Sequence, residues 1–201
     1  MIKIKLCGLS RICDIEAANE LKPEYIGFVF APKSRRYVSP EKAKELKRLL
    51  APEIKAVGVF ADDMPEHIAD CLEQGLIDIA QLHGNEDQDY ITRLRQMTDK
   101  PMIKAFRIEK EEDVDIAQNS TADMVLLDAG EGSGTTFDWN LIQNMRRPYF
   151  LAGGLSPDNV RIAASLKPYA VDVSSGIETE GVKDKTKMAA FVDAVRTEEK
   201  P

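Results

Sequence analysis

The segment Tyr149-Phe150-Leu151-Ala152-Gly153-Gly154-Leu155-Ser156-Pro157-Asp158 packs a strand, a turn and a helix start into one short run. Tyr149 to Ala152 is an apolar, β-favouring run that stops at a glycine pair. In Ser156-Pro157-Asp158 a serine is placed to cap the first free N–H groups, proline pre-sets φ at the first helical position, and an acid faces the positive end of the helix dipole. Val160, Ala163, Ala164 and Leu166 then form one apolar stripe, and Ala170 to Val173 is the next strand candidate, ending at Ser174-Ser175-Gly176.

The same unit recurs outward along the chain. Ser39-Pro40-Glu41 follows the run Tyr25 to Phe30 and leads into Ala43, Leu46, Leu49 and Leu50 on one face. Asp63-Met64-Pro65 opens another helix with Ile68, Cys71 and Leu72 inward and Gly75 as its stop. Further strand candidates are Ile2 to Cys7, Ala56 to Phe60, Ile77 to Leu82, Met102 to Phe106 and Met124 to Leu127, their starts spaced by about 20 to 30 residues. Strands alternating with helices call for a parallel sheet with right-handed crossovers, and this many units in 201 residues fit a closed ring. The expected fold is α/β, a single (β/α)8 TIM barrel with a closed parallel eight-stranded sheet, residues 1–201 forming one domain. The alternative, a flavodoxin-like or Rossmann sheet, would use fewer strands, and no G-x-G-x-x-G follows the first strand.

Composition narrows the function classes. With 27 basic against 34 acidic residues, a formal net charge of -7 and no basic stripe, nucleic acid is a poor partner. No apolar run approaches the length that spans a bilayer and the N-terminus lacks a signal-peptide core, so no membrane partner and a cytoplasmic location are expected. Cys7, Cys13 and Cys71 have no CxxC spacing, which suggests neither a disulfide framework nor a thiolate zinc site.

In this fold the active site lies where the strands end. Those positions hold Cys7-Gly8, Pro32 to Arg36, Asp62, His83-Gly84, Arg107, Asp128, Gly153-Gly154 and Ser174-Ser175-Gly176. The last two groups end strands seven and eight, where such barrels grip phosphate, and Ile177 to Lys183 has room for the short extra helix. Gly132-Ser133-Gly134-Thr135-Thr136 offers a further loop of backbone donors after strand six. Each glycine pair by itself equally reads as a turn. Cys7 reads either as a small buried hydrophobe or as a base that needs positive charge nearby; Cys13 and Cys71 read as structural. Asp128 is either a helix cap or an acid aimed into the barrel mouth, facing Cys7 across a small substrate. Arg36 sits in a basic loop, solvated or paired bidentately with a carboxylate. Gln81 and His83 share strand parity, as do Lys3, Lys5 and Cys7. A lysine inside a barrel must be paired, and Asp172 on the adjacent strand eight is the expected partner of Lys5.

In order along nearly the whole chain, Lys5-Leu6-Cys7-Gly8-Leu9-Ser10, Pro32-Lys33-Ser34-Arg35-Arg36-Tyr37, Gln81-Leu82-His83-Gly84, Leu127-Asp128, Gly132-Ser133-Gly134, Leu151-Ala152-Gly153-Gly154-Leu155 and Val171-Asp172-Val173-Ser174-Ser175-Gly176-Ile177-Glu178 resemble the phosphoribosylanthranilate isomerase family. The resemblance implies a cofactor-free, metal-free Amadori rearrangement in tryptophan biosynthesis, acting on a small phosphorylated molecule as a monomer or homodimer. Carried onto this chain, it implies Asp128 as general acid, Cys7 as general base, Arg36 on the substrate carboxylate, Gln81 and His83 beside the substrate, and Gly134, Gly153, Gly154, Ser174, Ser175 and Gly176 around the phosphate. The chain departs from the family pattern at Thr135, where lysine is frequent, and at Ser10, where threonine is usual. Two rival readings are a related ribotide isomerase of histidine synthesis, which would carry aspartate where Cys7 stands, and a catalytically dead barrel that binds a phosphorylated ligand.

Overall fold

Eight strands, β1 (Lys3–Cys7), β2 (Tyr25–Val29), β3 (Lys55–Phe60), β4 (Ile79–Leu82), β5 (Met102–Arg107), β6 (Met124–Asp128), β7 (Tyr149–Leu151) and β8 (Ala170–Val173), close into a ring in sequence order. All neighbouring pairs are parallel, and β1 meets β8 with Lys5 opposite Asp172. The computed structural model describes residues 1–128 and 137–197. The expected closed (β/α)8 barrel is therefore the observed one, and the open-sheet alternative is excluded by the β1–β8 seam.

Strand periodicity divides the core into two layers. One parity faces inward, where Tyr25, Val57, Ile79, Ile103, Leu126 and Phe150 pack on one another. The other parity meets the helices, burying Ile4, Leu6, Ile26, Phe28, Phe60, Leu82 and Leu127 against α1 (Ile12–Leu21), α2 (Pro40–Leu49), α3 (Pro65–Glu73), α4 (Gln88–Met97), α5 (Glu111–Gln118), α6 (Val160–Ser165) and α7 (Lys185–Thr197). Burial on both faces explains why these strands read as near-continuous apolar runs. At α2, Ser39 Oγ accepts from the Lys42 amide with Pro40 in the first turn, as the sequence requires. At α3, Ile68, Cys71 and Leu72 are buried, and Gly75 follows the helix at a φ of 68°.

Local departures from the sequence reading have physical causes. Leu49 is exposed: it closes α2 beyond the buried stripe, and Leu50, turned into extended backbone, takes the inward place. Cys13 lies on α1 as expected but is exposed, whereas Cys71 is buried. The helix after β7 begins at Val160, because Asn159 accepts from the Ser156 amide and donates to the Gly154 carbonyl, holding residues 154–159 as a turn. Before β7 the described residues form a 3₁₀ segment, Trp139–Asn144, in place of an α-helix. Residues 177–183 do not form the expected extra helix. A 3₁₀ turn at Ser175–Ile177 is followed by a hairpin of β9 (Glu178–Thr179) and β10 (Val182–Lys183). Glu180 and Gly181 both have positive φ, 51° and 79°, the backbone of a tight two-residue hairpin turn.

The rim of β3 to β5 is tied by one buried carboxylate. Glu86 accepts from the Asp62 amide at 2.8 Å, from the Gly84 amide at 2.9 Å and from Lys104 Nζ at 2.8 Å, while Lys104 also donates to the Gly84 carbonyl. Both partners are withdrawn from water, so removing one strands the other's charge. Glu86→Ala is expected to lower the unfolding free energy by about 3 to 5 kcal/mol. Lys42→Ala, which breaks an open ion pair with Glu45, should cost less than about 1 kcal/mol. Urea denaturation of both variants checks the contrast.

Candidate active site

Inward parity carries Lys5 and Cys7 on β1, Gln81 and then His83 at the end of β4, Asp128 at the end of β6, and Asp172 and then Ser174 at the end of β8 toward one mouth of the barrel. The residues expected at the site fall into three groups.

The first is Gln81, His83 and Asp128. Gln81 Nε2 lies 2.8 Å from His83 Nδ1, and His83 Nε2 lies 3.3 Å from Asp128 Oδ2. An amide N–H can only donate, so Nδ1 is the acceptor and the ring proton of a neutral imidazole sits on Nε2, facing the Asp128 carboxylate. Asp128 belongs to the buried set.

The second group surrounds Cys7. The sulfur is largely buried, with Val29 and Val59 against it on one side, and Gly27 leaves it room: a Cβ there would stand 2.6 Å from Sγ. Lys5 is fully buried two residues back, and its ammonium meets Asp172 Oδ2 at 2.9 Å, the partner anticipated from strand parity. Burial works against the Lys5 charge, yet Asp172 and the Cys7 sulfur hold its pKa above the ordinary value. For Cys7 burial dominates and pushes the thiol up; Lys5 and Lys183 pull it down, and Asp172 adds to the rise. Burial thus favours the neutral thiol form of Cys7 in the unliganded protein.

The third group is a charged hub beside Cys7 that the sequence did not reveal. Arg36 makes a bidentate pair with Glu178, Nε to Oε1 at 2.6 Å and Nη2 to Oε2 at 3.0 Å, and Arg35 Nη2 reaches Oε2 at 2.6 Å. Lys183 Nζ donates to Glu178 Oε1, to the Ser174 carbonyl and to Ser174 Oγ, and that hydroxyl donates to the Cys7 carbonyl. Despite the cost of burial, Arg36 and Lys183 lower the Glu178 pKa, whereas burial lowers that of Lys183. Gly8, at a φ of 80°, is where these parts touch: a Cβ would lie 2.5 Å from Arg36 Cδ and 3.2 Å from Ser174 Oγ. Arg36 therefore has the carboxylate its loop suggested, but an internal one. Glu178 was legible only as part of a motif, since its partner lies more than a hundred residues away.

The two loops proposed to hold phosphate are neighbours. Gly153 and Gly154 both have positive φ, and a Cβ on Gly176 would stand 1.9 Å from the Leu155 carbonyl oxygen, so only glycine lets the Ser174–Gly176 loop lie against the β7 loop. Ser174, Ser175 and Gly176 are half-buried at the rim. Gly134 and its loop, residues 132–136, lie outside the described residues. Arg107 is exposed and paired with Glu109, and Asp62 accepts from the Asn85 amide, so neither joins these groups. Among the described residues no cluster of three His, Cys, Asp or Glu side chains is arranged to hold a metal ion.

With this geometry in hand, comparison with known proteins is decisive. The family model for N-(5'-phosphoribosyl)anthranilate isomerase matches residues 4–194. The chain belongs to that family. A relative named N-(5'-phosphoribosyl)anthranilate isomerase, from Endomicrobium trichonymphae, is 43% identical over 203 residues, covering 98% of this chain and 100% of its own. The crystal structure of phosphoribosyl anthranilate isomerase from Thermotoga maritima matches with a TM-score of 0.90 at 37% identity, covering 98% of this chain and 100% of that one. A second structure of the enzyme, in complex with reduced 1-(o-carboxyphenylamino)-1-deoxyribulose 5-phosphate, matches with a TM-score of 0.88 at 36% identity over 98% of this chain and 100% of that one.

Iodoacetamide at neutral pH is expected to alkylate exposed Cys13 first, while Cys7 and Cys71 react slowly. Burial raises Cys71 to about 11, and the Cys7 rate should still be climbing as the pH passes the ordinary thiol value of 9.0. Mass spectrometry of the three cysteine peptides against time reads the order. Gly8→Ala should displace the Arg36 side chain and cost about 1–2 kcal/mol from its left-handed backbone alone, measurable by thermal unfolding and a crystal structure of the variant.

Proposed function

We propose that this chain catalyses the Amadori rearrangement of N-(5'-phosphoribosyl)anthranilate to 1-(2-carboxyphenylamino)-1-deoxyribulose 5-phosphate, an isomerisation of tryptophan biosynthesis. One observation carries the reading beyond family membership. A sulfur at the end of β1 and a carboxyl at the end of β6 share inward parity at the same mouth of the ring, each with a polar group fixed beside it.

The roles follow from the chemistry each group can perform. Asp128, in its protonated form, gives its proton to the furanose ring oxygen, and the C1–O bond breaks to leave a Schiff base at C1. Cys7, as thiolate, removes the C2 proton, and the electron pair moves into the C1–C2 bond to form an enolamine. Protonation at C1 and loss of the enol proton leave the ketone, so the reaction is redox-neutral and needs no external electron carrier. His83, with its Nε2–H toward Asp128, orients that carboxyl, and Gln81 fixes the His83 tautomer.

Arg36 meets the anthranilate carboxylate. Glu178 already occupies Nε and one side of Nη2, which leaves Nη1 and the outer side of Nη2 for a second carboxylate. The phosphate lies against the backbone of Gly153, Gly154, Ser174, Ser175 and Gly176, with Gly134 contributing from the loop after β6. Whole-chain agreement with full-length relatives supports reading residues 1–201 as one domain. The same reading has the protein act in the cytoplasm, as a monomer or homodimer, on a small phosphorylated molecule without nucleic acid or membrane partners. A net charge of -7 and the absence, among the described residues, of any helix long and apolar enough to cross a membrane are consistent with it.

The decisive assay follows the loss of substrate fluorescence with freshly made phosphoribosylanthranilate, beside growth rescue of a tryptophan auxotroph lacking this isomerase. Cys7→Ala and Asp128→Asn should each lose most of kcat, on the order of 10²-fold or more as expected for a positioned acid or base. Arg36→Met should chiefly raise KM. Near wild-type turnover by purified Cys7→Ala would remove the base assignment.

A further inference from the structure

Inside the barrel, directly behind Cys7, lies a row of charge that the reaction scheme does not use. Lys5 is fully buried on the same face of β1, and its Nζ meets Asp172 Oδ2 at 2.9 Å across the β1–β8 seam. Packing alone does not demand a lysine here, since Tyr25, Val57, Ile103 and Leu126 fill neighbouring inward positions. Taking both charges out of water carries a desolvation cost that their attraction must repay, and an apolar pair of similar size would serve packing as well.

The donor count points at the sulfur. An ammonium has three N–H groups. Lys183, the other cation near Cys7, uses three contacts on Glu178, the Ser174 carbonyl and Ser174 Oγ. Lys5 gives one bond to Asp172, which leaves two N–H groups, and it stands two residues before Cys7 on the same inward face of β1. The far oxygen, Asp172 Oδ1, is buried without a partner, so the carboxylate is not saturated by other groups. Among the described residues, those packed against the sulfur from β2 and β3, Gly27, Val29 and Val59, carry no charge. The Asp128 carboxyl lies across the mouth on β6.

Resting on the assignment of Cys7 as base, we propose that Lys5, held by Asp172, is the positioning residue that supplies the counter-charge for the Cys7 sulfur once it loses its proton. Asp172, Lys5 and Cys7 then form one coupled row, with cation between two anions. In the unliganded site the charge that balances a buried thiolate must come from the protein. Lys5 shares its strand with Cys7 whereas Asp172 stands on the neighbouring β8, and the attraction of Lys5 outweighs the repulsion from Asp172. Lys183, saturated by its own partners, has the smaller effect on the sulfur.

The row makes a prediction that a purely structural ion pair does not: loss of its two members should move Cys7 in opposite directions. Iodoacetamide alkylation of Cys7, read on its own peptide by mass spectrometry across the pH range, measures this without turnover. Lys5→Met should shift the profile to higher pH and slow alkylation at about pH 8 by tenfold or more, the effect of losing one close opposite charge. Asp172→Asn should shift the profile to lower pH and speed alkylation. The double variant Lys5→Met with Asp172→Asn leaves no unpaired buried charge and provides a folded reference. Its profile should lie above the wild type and below Lys5→Met. A Lys5→Met profile that coincides with or falls below the wild type overturns the proposal, as do single-variant shifts of the same sign. Where the singles do not fold, a double-variant profile at or below the wild type overturns it. Failure of the base assignment is read separately, as retained turnover in Cys7→Ala, which leaves the alkylation profiles unaffected.

Discussion

An ammonium sealed inside a closed sheet has to find an anion there, and Lys5 finds Asp172 opposite it on β8. The bond crosses the seam where the first strand meets the last, so the strand that begins the chain is locked in register against one formed about 165 residues later. A slip of one residue would turn Lys5 outward into the helix layer and bring Ile4 or Leu6 into the barrel, stranding the Asp172 charge. Because Cys7 and Ser174 each lie two residues beyond this pair on their strands, the same register sets the sulfur beside the β8 loop. The Ser174 hydroxyl on the Cys7 carbonyl records that placement.

Two more lysine–carboxylate pairs repeat the device at other depths. Glu86 with Lys104 ties the β3 and β4 loops to β5 on the helix side. Glu178 with Lys183 ties the hairpin after β8 to the loop that carries Arg36. Buried pairs of this kind add little net stability over apolar packing, but each has a narrow set of acceptable geometries. In this barrel they stand where loops from separate βα units must agree on a position. Apolar contacts, being non-directional, would leave such loops free to slide.

Much of this was legible along the chain because it depends on neighbours in sequence. Period-two alternation placed Lys5 with Cys7 on one face of the first strand and Gln81 with His83 on one face of the fourth, and the structure turns both faces inward. The Ser39-Pro40 start of α2 needs only its own first turn. Readings failed where a distant or competing local contact decided the outcome. Ser156 and Pro157 carry every helix-start signal, yet Asn159 redirects those backbone groups into a turn. Glu180-Gly181 folds residues 178–183 into a hairpin because the left-handed pair at its tip and the bonds from Lys183 and Arg36 to Glu178 outweigh a helix.

The sequence alone therefore determined which residues could be strands, which face each side chain would take, and that acid, thiol and glycine-rich loops would gather at one end of the ring. Those properties follow from local backbone geometry and from hydrophobic periodicity. Only the tertiary structure decided that Arg36 is held by Glu178, that Lys183 approaches Cys7, and that His83 turns its Nε2 toward Asp128. Such pairings depend on distances of a few ångströms between strands and loops far apart in the chain, and no spacing of letters encodes those distances.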